Sequence, residues 1–146
     1  MENNIKQIHI GIMIKQRVEE LKIEDDRIMS FFKISQETID NTYECATIET
    51  DVLLKWSKLL EYDFFRIYSQ HLILYAPPAS TNKNAIAIKS TLPSFRKNLY
   101  THEIIEFILN QISSGEMTKT QVIERYRIPK TTLYKWISKY STTLKH

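Results

Sequence analysis

The stretch that most constrains this chain is "APPASTNKN", residues 76–84. Pro77 and Pro78 remove two backbone donors and cannot continue a helix, and the Ser, Thr and Asn that follow suit loops. The break separates two stretches of short helical pattern, so it is the expected domain boundary. A chain of 146 residues is long enough for one ordinary domain or two small helical ones. Residues 1–75 are therefore expected to form one unit, residues 76–100 a basic linker or arm, and residues 101–146 a second unit. Only Gly11 and Gly115 are glycines, which favours helices and leaves no material for a Gly-rich phosphate loop. The fold class expected is all-α, with two small helical domains.

The N-terminal half reads as five helices. Ile14, Val18 and Leu21 share one helical face, although Ile8, Ile10, Ile12 and Ile14 also alternate as a strand would. Helix is favoured from about Gly11. A second helix runs from about Glu24 to Phe32, and a third starts behind Ser35, a good N-cap. A fourth spans about Thr50 to Leu60 with Val52, Leu53, Trp56, Leu59 and Leu60 inward. Asp63 caps a fifth, where Phe64, Phe65, Tyr68, Leu72 and Tyr75 recur at helical spacing. That last segment, with Leu74, carries more apolar surface than a small bundle covers, so a homodimer through this half is expected.

The C-terminal half reads as three helices. Thr101 caps the first, with Ile104, Ile105, Ile108, Leu109 and Ile112 on one stripe. Thr118 and Gln121 have the spacing of a capping box at the start of the next, whose apolar face is Val122, Ile123 and Tyr126. Pro129 interrupts, and the last helix begins at Lys130, burying Leu133, Trp136, Ile137 and Tyr140.

Charge divides with the halves. Residues 1–75 hold 9 Lys/Arg and 13 Asp/Glu, whereas residues 76–146 hold 11 Lys/Arg and 4 Asp/Glu. A basic C-terminal half suits a polyanion partner. No Asp or Glu lies between Lys130 and His146. Solvated helix faces usually mix signs, because Glu–Lys pairs one turn apart support them. Here the outward residues are Lys130, Thr131, Tyr134, Lys135, Ser138 and Lys139. Lysines neutralise phosphates, Thr reaches base edges, and Tyr bonds to the backbone. The candidate DNA-binding residues are Lys119, Thr120, Lys130, Thr131, Thr132, Tyr134, Lys135 and Lys139. Arg96 and Lys97 in the arm are candidates for phosphate tracking or minor-groove entry. Gln36, Thr38 and Asn41 on the third helix are candidates to reach bases.

Two resemblances sharpen this. "MTKTQVIERYRIPKTTLYKWISKY" resembles the helix-turn-helix of insertion-sequence transposase subunits over about residues 101–141. Thr131, Thr132, Leu133, Tyr134, Lys135 and Trp136 match the hydroxyl pair followed by Leu-Tyr-basic-Trp. Pro129 stands where that family usually has Ser or Thr. The resemblance implies DNA binding by the helix starting at Lys130. Residues 8–68 resemble the lambda-repressor-like (XRE-type) domain: Ile23, Ile28 and Phe32, then Ile34–Ser35, Thr38–Ile39, and Leu53, Leu54, Trp56, Leu59 and Leu60 fall on its landmarks. That resemblance implies a five-helix bundle. The third helix carries Glu37, Asp40 and Glu44 with no Lys or Arg, and Asp25–Asp26 stand where that family usually has a phosphate-contacting Gln, which disfavours phosphate contact.

No Ser/His/Asp or Cys/His arrangement suggests catalysis. His9, His71, His102 and His146 lack metal-ligand spacing with Cys45, the single cysteine, which fits a reducing compartment. No cofactor or small-molecule substrate is implied. The N-terminus lacks the basic start and clean apolar core of a secretion signal, and no apolar run is long enough to span a membrane. The expectation is a non-enzymatic, cytoplasmic, nucleoid-associated protein that binds double-stranded DNA sequence-specifically. It would act as a transcriptional regulator or a transposase-derived DNA-binding subunit. The alternative is a protein-interaction or antitoxin-like adaptor whose N-terminal bundle binds a partner or dimerises.

Overall fold

Helix boundaries follow the caps. In the computed structural model, which describes residues 6–77, 90–93, 95 and 98–140, eight α-helices and no strands occur among the described residues. They are α1 (Ile10–Leu21), α2 (Asp25–Phe32), α3 (Gln36–Glu44), α4 (Thr50–Leu59), α5 (Phe65–Tyr75), α6 (His102–Ser113), α7 (Lys119–Tyr126) and α8 (Lys130–Tyr140). His9 caps α1, its Nδ1 accepting from Ile12 N–H at 3.3 Å. Ser35 caps α3. Asp63 Oδ1 accepts from Phe65 N–H at 3.1 Å at the start of α5. Each satisfies donors that a helix start leaves unpaired. The strand-like alternation at residues 8–14 resolves as helix from Ile10 onward. No helix among the described residues is long and apolar enough to cross a membrane.

The chain forms two compact units, residues 1–68 and 69–146. This division falls inside α5, between Tyr68 and Ser69. Gln70 belongs to the second unit. Its side-chain amide donates to the Leu99 carbonyl, and its Oε1 accepts from Thr101 N–H at 3.0 Å. The end of the expected arm is thereby fastened to the second half of α5, and Gln70 is only 6 % exposed.

In the first unit the core gathers around Trp56, with Ile10, Ile14, Ile28, Ile39 and Phe64 fully or almost fully buried. Phe32 and Tyr43 rings flank Trp56, with centroids at 4.6 and 6.3 Å. Helix α1 approaches α3 unusually closely at Gly11. Gly11 N–H donates to the Cys45 carbonyl at 3.0 Å, and Ile10 N–H to the Ala46 carbonyl at 3.2 Å. One position departs from the expected inward set: Leu21 is exposed. Of the apolar residues expected to form a dimer face, Phe64 and Leu74 are buried within the chain itself. Leu72 and Tyr75 remain exposed.

In the second unit α6, α7 and α8 contact one another pairwise. Ile104, Ile108, Val122, Ile128 and Leu133 are fully buried. The Tyr126 hydroxyl donates to Gln111 Oε1 at 2.8 Å, tying α7 to α6. Tyr100 sets the edge of its ring against Trp136, centroids 4.8 Å apart. Gly115, at φ +79°, takes the left-handed turn between α6 and α7, a conformation that costs a side-chain-bearing residue.

Candidate nucleic-acid interface

The geometry of α7 and α8 is set by local chemistry. Thr118 Oγ1 accepts from Gln121 N–H at 3.2 Å, and Gln121 Oε1 accepts from Thr118 N–H at 2.8 Å. This reciprocal box starts α7 sharply, placing Lys119 and Thr120 on its exposed first turn. Arg127, at φ 55°, ends α7. Ile128 and Pro129 then lead into α8, whose first backbone bond runs from Leu133 N–H to the Pro129 carbonyl at 3.1 Å. Proline loses nothing here, because its missing N–H would have no helical acceptor. Ile128 and Leu133 stand at the positions of a hydrophobic staple, 1 % and 0 % exposed. The staple fixes the angle at which the chain enters α8.

Leu133 and Trp136 bury one side of α8, with Ile137 and Tyr140 half-buried. Lys130, Thr131, Tyr134, Lys135, Ser138 and Lys139 are exposed, and Thr132 is half-buried. Lys119 Nζ lies 5.4 Å from the centre of the Tyr134 ring, and Lys130 Nζ lies 5.7 Å from it. The first turns of both helices therefore deliver a cation to one aromatic ring. Lys139 lies over Tyr140 at 5.2 Å. Among the described residues, Lys119, Lys130, Lys135 and Lys139 have no ion-pair partner. The sequence-expected residues Lys119, Thr120, Lys130, Thr131, Tyr134, Lys135 and Lys139 thus all lie exposed on this helix pair. Arg96 and Lys97 lie outside the described residues.

Helix α3 offers a different surface. Gln36 Nε2 donates to Asp40 Oδ1 at 3.2 Å, and Thr38 Oγ1 shares a hydrogen bond with Ser35 Oγ at 3.0 Å. Two of its three expected base-reading side chains are thus engaged within the helix, and Asn41 alone is exposed without such a bond. Glu37, Asp40 and Glu44 are exposed beside them. The groove between α1, α2 and α3 is lined by Glu19, Glu24, Asp25 and Asp40 together with Lys15 and Lys22. Burial first, then the carboxylates of Asp25, Asp40 and Glu19, push the Tyr43 phenol up to about 12. Its hydroxyl is buried without a hydrogen-bond partner among the described residues. The exposed acids of α3 and the carboxylates around Tyr43 disfavour added negative charge at this face.

Among the described residues no group of three or more His, Cys, Asp or Glu side chains is placed to hold a metal ion. His102 pairs with Glu106 at 3.2 Å, and His9 serves as a cap. Cys45 is free and exposed. No family model, curated protein or solved structure matches the chain.

Sequence reasoning missed three residues that position this surface. Gln70 anchors the approach to α6, Gln111 holds Tyr126, and Ile128 staples α8. Gln70 left a signal: it precedes buried Ile73 and Leu74 at helical i, i+3, i+4 spacing, a polar side chain on an apolar stripe. Ile128 left none, because an isolated apolar residue between Arg127 and Pro129 has no period to belong to.

Proposed function

We propose that this protein is a non-enzymatic, sequence-specific binder of double-stranded DNA, and that α7 and α8 form a helix-turn-helix with α8 as the helix that enters the major groove. The observation that carries the proposal is the exposed, acid-free face of α8, joined by Lys119 from α7 around Tyr134. Phosphate neutralisation by Lys and Arg supplies most sequence-independent affinity, and side chains near the start of the inserted helix read bases. Lys119, Lys130 and Lys139 are assigned to phosphates. Thr131 and Lys135 are assigned to base edges, Lys to guanine and the Thr methyl to thymine. Thr120, Thr132 and Tyr134 bond to the sugar-phosphate backbone, and Arg96 and Lys97 extend the contact along it. The resemblance of residues 101–141 to transposase DNA-binding subunits supports the same reading. It suits a transcriptional regulator or a transposase-derived DNA-binding subunit working on the nucleoid in the cytoplasm.

The N-terminal half, residues 1–75, is read as a repressor-like five-helix scaffold turned to protein contact and homodimerisation. What supports this is the acid-lined groove beside α3 and the engagement of Gln36 by Asp40. In the corresponding adaptor reading the whole protein acts through that groove, and DNA binding is secondary.

Affinity for a duplex measured against salt separates the two. On the DNA-binding reading log K falls steeply and linearly with log salt, and Lys139→Ala flattens the slope by about one unit. Thr131→Ala shifts sequence preference more than overall affinity. Salt-independent or undetectable binding leaves the adaptor reading standing.

A further inference from the structure

We infer that Lys119 and Lys130 together clasp one DNA phosphate, with the Tyr134 ring as the post that holds both ammonium groups in place. The inference rests on the DNA-binding reading above and deepens it, since it says how the two helices divide the backbone contact. Two like charges on neighbouring helices ordinarily avoid each other. Here both sit within 6 Å of one ring centre, the range in which an aromatic face attracts a cation. The two ring distances put the ammonium groups at most about 11 Å apart, and hydrogen bonds to the two oxygens of one phosphate draw them to within about 8 Å, a closure that the lysine stems allow. Their anchors are rigid. The Thr118–Gln121 box fixes the start of α7, and the Ile128–Leu133 staple fixes the start of α8. Tyr134 lies one helical turn beyond Lys130, on the same face.

Neither lysine is neutralised by a carboxylate among the described residues, so the pair carries an unspent double charge. A phosphodiester answers it well. It has two non-bridging oxygens, one for each ammonium, and a single negative charge that both can share. The other lysines of α8 differ. Lys139 shares its ring, Tyr140, with no second described cation, and Lys135 lies over no ring among the described residues. Toward the two lysines Tyr134 is a positioning residue that acts through its π face, which leaves its hydroxyl for the backbone bond assigned above.

The count of phosphates neutralised can be read directly, because log K against log salt has a slope of about −0.9 per phosphate contact. The full-length protein, its single variants Lys119→Ala and Lys130→Ala, and the double variant are titrated with a short mixed-sequence duplex over a range of salt. A shared phosphate predicts that the double variant flattens the slope by about 0.9. Two independent phosphates predict about 1.8 and overturn the clasp while leaving the DNA-binding reading intact. The same pair of substitutions in a Tyr134→Phe background still costs one contact. In a Tyr134→Ala background the lysines part and cost two; a cost of one there removes the ring from its positioning role. Wild-type protein that binds no duplex at low salt refutes the function itself, and with it the clasp.

Discussion

Gly11→Ala pits two physical effects of opposite sign against each other. In an isolated helix the change stabilises by about 1 kcal/mol, because alanine loses less backbone freedom than glycine. In this fold a Cβ on Gly11 meets the carbonyl oxygens of Thr42, Tyr43 and Cys45, at 2.5 Å for Tyr43 and 2.6 Å for Cys45. All three are backbone atoms, so no side chain can rotate away. Relief requires α1 to move off the end of α3, which stretches the Gly11–Cys45 and Ile10–Ala46 hydrogen bonds. Overpacking costs about 1–3 kcal/mol, and each hydrogen bond contributes about 1 kcal/mol. Set against the propensity gain, the net loss is about 2–4 kcal/mol, a large part of a small unit's stability. The assay is urea denaturation followed by Trp56 fluorescence in a Trp136→Phe background, since Trp56 and Trp136 are the chain's two tryptophans. With a urea slope of about 1 kcal/mol per molar for a unit this small, the midpoint falls by roughly 2 M or more. An unchanged or higher midpoint refutes the close approach of α1 to α3, for then propensity alone governs the site.

Tyr43→Phe removes a buried hydroxyl that has no described partner and leaves stability at neutral pH equal or slightly raised, measured by the same denaturation. Its phenol is pushed up to about 12, so the folded form keeps its proton while the unfolded chain loses it from about pH 10. That contribution to stability is present below pH 10 and lost as pH rises through 12, and the Phe variant unfolds less readily across that window. Gln70→Leu leaves the Thr101 N–H and the Leu99 carbonyl without their partner. It lowers the stability of the second unit by about 2 kcal/mol, read from Trp136 fluorescence. Thr118→Ala removes the hydroxyl that accepts from Gln121 N–H, leaves the backbone bond to Gln121 Oε1 in place, and costs about 1 kcal/mol. It also weakens duplex binding in fluorescence anisotropy, because Lys119 loses its fixed place.

Much of the helical layout was legible because caps and periodicity agree. Ser35, Asp63, Thr101 and Thr118 each start a helix where their side chains forecast, and Pro129 marks the entry to α8. The exposed face of α8 was legible for the same reason, since Leu133 and Trp136 at i, i+3 settle which side turns inward. The long-range anchoring by Gln70 was not. Pro77 and Pro78 are the strongest local break, yet Gln70 reaches across more than twenty-five residues to Leu99 and Thr101, and no local pattern encodes such a bond. The meeting of Lys119 and Lys130 at Tyr134 was hidden likewise. Each residue stood out as basic or aromatic, but only the packing of α7 against α8 brings them to one ring. The engagement of Gln36 by Asp40 was readable as an i, i+4 pair, and it weakens α3 as a base reader.

The most direct test of the central claim is backbone amide chemical-shift mapping of the full-length protein on titration with duplex DNA. The account predicts that the largest changes cluster at Lys119, Thr120, Lys130, Thr131, Tyr134 and Lys135, with α3 unmoved. Changes centred on Gln36, Thr38 and Asn41 instead, with α8 silent, contradict it.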